Sequence, residues 1–394
     1  MLLRISSKHI YRFCYGWVFI LAVSCFLGAI NKSASNNNSL TLNLAWHKAY
    51  ESQQWANVKT GLAWSFSLMG ASMPGGRLDK SITFSNKYST LLQINLYDLG
   101  FSHQAIKTFA VILDTIKSSP DYQRNNSIDI GRFLTLTLHS SWNYYAITQM
   151  PERLSDFKKE HKSTLEIKYM LNHSDVAIHE RLITIYPDSN ILDFYFIASE
   201  PSGNLNNDTE EFEVMNVMPN SQLRFGIYDK NGFLKAASDT SLSIAGKPGK
   251  CMWCHESKAL DLFQPSDDIE GYLKRTNFIA YVESFNVLLN HYRSTLETDI
   301  VYTNLQDHTQ SELLYVSFMQ SSSMRIASET QMKQSKIKNL LKIYNAEEYH
   351  EFPFLGNLYS RSLIDSLFFS ESLKVPTSVR EPSLYEPDFT ELSK

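Results

Sequence analysis

Two cysteines and a histidine fall within five positions at Cys251-Met252-Trp253-Cys254-His255, in a chain of 394 residues that holds only four cysteines. Sulfurs three residues apart, with an imidazole directly after the second, support several kinds of chemistry. They can exchange thiol and disulfide states as a redox pair. They can supply part of a zinc site, which takes four ligands. They can hold a group through sulfur while the imidazole ligates a metal, or they can simply sit in a structural loop.

The pentapeptide resembles the haem attachment motif of c-type cytochromes, in which two thiols add across the haem vinyl groups and the following histidine ligates iron. The resemblance implies thioether bonds at Cys251 and Cys254, His255 as proximal iron ligand, and one haem c as cofactor. It covers these residues alone. The common small cytochrome domain has a helix shortly before the motif, where Leu223 to Ala237 reads as strand and hairpin. It also has a methionine beside a proline downstream, which this chain lacks. The expectation is therefore attachment chemistry outside the common small cytochrome c fold.

A sixth iron ligand is expected at His308, because Asn304-Leu305-Gln306-Asp307-His308 is polar and reads as a loop able to close over a face. His291, Met319 and Met324 are rivals, and an open iron is equally compatible. Gly246, Pro248 and Gly249 read as a tight loop that lets a flat cofactor approach the backbone. A thioredoxin-like pair would open a helix after a parallel crossover, whereas the strands here read as antiparallel. Zinc would lack its fourth ligand.

The cytochrome resemblance implies an exported setting, and the N-terminus reads as an export segment. Arg4, Lys8 and Arg12 precede the apolar run Tyr15 to Ile30, the charge order of a secretion signal. Within it, Leu21-Ala22-Val23-Ser24-Cys25 resembles a bacterial lipobox, which implies lipidation of Cys25. A spanning anchor and a cleaved signal stay open. In every version residues 40 to 394 lie outside the cytoplasm; the expected setting is the bacterial cell envelope, with attachment to the membrane through an N-terminal anchor. Cys14 and Cys25 belong to the targeting segment, so Cys251 and Cys254 are the only thiols of the exported body.

The elements around the motif read as an α+β chain. After the segment 1–30 and a polar tether 31–40 comes a helical region 41–160, with Ser102 as the cap of a helix carrying Ile106, Phe109, Leu113 and Ile116 on one face. An antiparallel meander, or half a sandwich, follows over 161–245, with an Asp-Lys-Asn-Gly hairpin turn at 229–232. The motif occupies a loop at 246–257. Helices return over 258–373, the first capped by Ser266, and 374–394 is a proline-bearing extended tail.

Net charge is -4, from 37 basic and 41 acidic residues. No basic stripe exists to neutralise a phosphate backbone, so nucleic acid is not an expected partner. Phosphate-binding, zinc-protease and serine-hydrolase motifs are absent from the sequence. The expected function is an envelope-anchored haem protein that transfers electrons to a redox partner, a carrier or accessory subunit rather than a catalyst. The alternative is a surface lipoprotein that binds or scaffolds, with Cys251 and Cys254 as a local disulfide or metal site.

Overall fold

The β-branched and aromatic run Arg181–Tyr186 and its neighbours build the central sheet, which is covered on both faces along much of its length. The computed structural model describes residues 40–394 except 85–89, 173, 202–208, 266, 305, 369–372, 384–385 and 387–394. The apolar run 15–30, the Leu21 to Cys25 motif, Cys14 and the tether up to Ser39 lie outside the described residues. Among the described residues no helix is long and apolar enough to cross a membrane.

The sheet is a consecutive antiparallel meander of β5 (Ile167–Leu171), β6 (Arg181–Tyr186), β7 (Tyr195–Pro201), β8 (Thr209–Val217) and β9 (Leu223–Asp229). Four short strands precede it in the chain. At the hairpin end Asp229 accepts from the Asn231 and Phe233 amides, and Gly232 takes a φ of 77° that suits glycine. β9 is an edge strand, and unpaired edge amides invite aggregation. Here the Phe225 and Ile227 amides donate to the hydroxyls of Tyr144 and Tyr145, which cap the edge from the helix Ser141–Thr148. The aromatic pair thus closes the sheet.

Helices cover the meander, and the architecture is α+β. Helix Arg275–Ser294 lies over one face, stacking Phe278 on Tyr169 at 4.3 Å and setting Phe285 edge-on to Phe194 and Phe196. This helix starts at Arg275 with Lys274 in the capping position, rather than near Ser266, which is not among the described residues.

The N-terminal region contains the expected helices, including His103–Ser118 with the Ser102 hydroxyl accepting from the Ala105 amide at 3.1 Å. It also contains four strands that the helical reading overlooked, β1 (Thr41–Ala45), β2 (Ile82–Phe84), β3 (Leu91–Asn95) and β4 (Ile128–Asp129), in the order β2-β3-β1-β4. Five residues or fewer give alternation too little length to stand out. Leu44 and Ile94 from this sheet share one apolar core with Phe133, Tyr169, Phe225 and Phe285. Residues 40–394 therefore form a single compact unit.

The supposed loop around His308 is helical. Gln306–Met319 packs against Trp55–Leu68, with Ser65 and Ser311 hydroxyls 2.6 Å apart at the crossing. Small residues at that contact bring the helices together, and the inward stripe His308, Ser311, Glu312 and Tyr315 is buried.

Candidate functional site

The motif is a short helix, Pro248–His255, rather than a loop. Proline at the first turn is pre-organised for helix, and the helix ends where Glu256 and Ser257 turn to φ 44° and 69°. Helical spacing puts Cys251, Cys254 and His255 toward one side. Met252 turns into the core, while Trp253 packs on Phe352, with the Arg380 guanidinium 3.1 Å from its ring centre.

Cys251, Cys254 and His255 line one cavity of about 480 Å³ between the motif helix, the sheet and helix Arg275–Ser294. That volume falls in the range of small-molecule and cofactor pockets. The floor is the face of the meander presenting Ile183, Ala198, Met215 and Phe225, with Arg181 and Glu213 beside them, and Phe263, Phe278 and Val282 complete the walls. The residues suit a flat, largely apolar group held at one edge by sulfur.

The electrostatics favour neutral forms. Burial lowers the His255 imidazole to about 4, helped by the Arg181 charge and opposed by the Lys258 backbone. Its Nδ1 has no hydrogen-bond partner, and its ring lies 5.5 Å from that of Phe225. A neutral imidazole is the form that ligates metal. Burial also raises both thiols: at Cys251 Glu213 adds to the effect, and at Cys254 Lys250 and Arg380 oppose it. Reactive redox cysteines and thiolate metal ligands need the opposite shift. Both cysteines are free, and among the described residues no three His, Cys, Asp or Glu side chains gather as a metal-holding group.

None of the four expected sixth ligands lines this cavity. His308 is buried in its helix, with Nδ1 2.9 Å from Glu312 and its ring edge-on to Trp64. His291 is exposed on helix Arg275–Ser294, Met319 packs on a separate cluster that includes Val316 and Leu355, and Met324 lies in helix Ser323–Thr330. The methionine on the cavity wall is Met215 of β8, paired across the sheet with Phe225. It lies upstream of the motif, so a search downstream misses it. The usable signal was alternation, which puts Glu213 and Met215 on one face.

Gly246 and Gly249 do not open a path for a cofactor. The C-terminal tail lies on them: a Cβ at Gly249 would sit 2.5 Å from the Val379 carbonyl, and Gly246, at φ 72°, has the Arg380 carbonyl against it. The Lys247 amide donates to that same carbonyl at 2.7 Å. The Lys247 ammonium pairs with Glu386, and Lys250 meets Glu381 at 2.6 Å. Behind Gly249 lies His139, fully buried with neither ring nitrogen partnered, 3.8 Å from the Tyr315 ring. Comparison with protein-family models, with curated proteins and with solved structures finds no match, so these residues are read on their own chemistry.

Proposed function

We propose that this chain carries a single haem c and works as an envelope-anchored electron-transfer protein or as the haem subunit of a redox assembly. The observation that supports the reading is the convergence of Cys251, Cys254 and His255 on one largely apolar cavity. Cys251 and Cys254 would hold the group through sulfur, each thiol giving up its S–H in the bond it makes, with no oxidant required. Protonated thiols match that balance. The bound iron supplies one-electron chemistry. The chain's own part is to hold the group by two sulfurs, present a neutral His255, and exclude water with Phe225, Phe263 and Phe278. Met215, which lines the cavity where His308 does not, would be the candidate for a further iron ligand.

The test is expression of the full chain with haem-maturation machinery, followed by denaturation and solvent extraction. A Soret band should stay with the denatured polypeptide, and Cys251→Ala with Cys254→Ala should abolish it. A colourless wild-type product overturns the reading; a thiol count that then rises by two on reduction favours a local Cys251–Cys254 disulfide in a binding protein.

A further inference from the structure

Beside the cavity floor, where Arg181 and Glu213 line it, the same face of the sheet carries a charge imbalance. Alternation places Arg181 of β6, Glu200 of β7 and Glu211 and Glu213 of β8 on the face shared with the cavity, Glu200 lying opposite Glu211 in register. Arg181 serves two carboxylates: its Nε stands 2.7 Å from Glu200, and its other arm pairs with Glu213. Glu213 also accepts from the Ser243 hydroxyl at 3.3 Å. Glu211 has its own cation, Lys235, at 2.5 Å, and the Asp239 amide at 3.0 Å. Three carboxylates thus face two cations.

Glu200 is the member left short. It is 1% exposed, and neither carboxylate oxygen accepts a hydrogen bond, because the Arg181 contact is close but misaligned. An uncompensated charge in a low-dielectric interior is costly, and a carboxylate so placed takes up a proton instead. Burial, reinforced by Glu213 and Glu211 and opposed by Arg181, pushes its carboxyl up to about 8. From the motif helix, the Cys251 thiol faces Arg181 and Glu213.

We propose that Glu200 carries an exchangeable proton at neutral pH and releases it when positive charge enters the cavity beside Cys251 and Cys254. The haem reading supplies the natural source of that charge, an oxidised iron, but the proton site does not depend on it. Positive charge near Arg181 and Glu213 favours the ionised carboxylate, and by reciprocity loss of the proton favours the positive charge.

The experiment uses the full chain in detergent without haem. Infrared difference spectra between acid and alkaline pH should show a protonated-carboxyl band that shifts in D2O, titrates near the upper neutral range, and disappears in Glu200→Gln. Glu213→Gln leaves Arg181 to Glu200 alone and should lower the band's midpoint. Thiols capped with a trimethylammonium methanethiosulfonate should lower it by about one pH unit relative to the neutral methyl reagent. A band unaffected by Glu200→Gln, or equal midpoints under the two reagents, overturns the proposal. None of these readouts involves haem, so they are independent of the attachment assay.

Discussion

At Glu200 the sign of a pH effect can be worked out from one residue. The folded state holds its proton to about 8, while an unfolded chain releases it near the ordinary carboxyl value of 4.5. Between those values the unfolded state binds fewer protons, so this residue's contribution makes stability fall as pH rises through that window. Glu200→Gln should remove that slope and make the protein more stable at pH 8 by up to about 4 kcal/mol, read from urea unfolding at several pH values. A second residue-scale expectation concerns iron ligation. If the proposed haem is attached, Met215→Leu should open the iron to carbon monoxide, whereas His308→Leu should leave the spectrum unchanged. An unaltered Met215→Leu spectrum would remove Met215 from ligation.

The motif helix is the element whose placement matters most, and the tail holds it there. Lys247 is 1% exposed, and Glu386 both pairs with its ammonium and accepts from the Ser141 amide at 2.5 Å. Removing one partner leaves a buried charge, so Glu386→Ala should cost about 3–5 kcal/mol in chemical denaturation. Replacing both, as Lys247→Met with Glu386→Leu, should recover most of that loss, since apolar substitutes for a buried pair are often neutral. A double variant as unstable as the single would show that the tail is held by its backbone contacts on Gly246 and Gly249 instead.

The whole molecule is joined by a second ionic group, built around Phe318. Arg132, Arg325 and Arg361 all lie over the Phe318 ring, at 5.0, 5.6 and 4.1 Å. Arg325 pairs with Asp129 and Glu329, Arg361 with Glu329 and Asp365, and Arg132 with Asp365. This group ties β4 and the helix after it to the last helices of the chain. Burial alone would raise Glu329, but Arg361 and Arg325 hold it down to about 2. Its contribution is present above the ordinary carboxylate range and is lost as pH falls toward 2. Wild type should therefore unfold in acid as one cooperative unit, with tryptophan fluorescence and circular dichroism coinciding, and Glu329→Gln should unfold at higher pH.

Much of the local structure was legible in the chain. The Ser102 cap, the strand Arg181–Tyr186 and the turn at Asp229 to Gly232 rest on spacing and backbone preference, which act over a few residues. The short strands β1 to β4 were hidden, because so few residues carry no clear period. His308 was misplaced because a polar first helical turn looks like a loop until its inward stripe meets the Trp55–Leu68 helix.

By itself, the sequence determined which atoms are available for chemistry: two sulfurs and an imidazole at fixed spacing, and no other thiol after residue 25. Covalent order is enough for that. Only the tertiary structure decided what those atoms face. Packing of the sheet against two helices made the cavity, put Met215 rather than His308 in its lining, laid the tail against Gly246 and Gly249, and buried Glu200 and Glu211 next to Glu213 with two cations among the three. Such pairings join residues tens to hundreds of positions apart, and their energies depend on burial, which no short stretch of sequence contains.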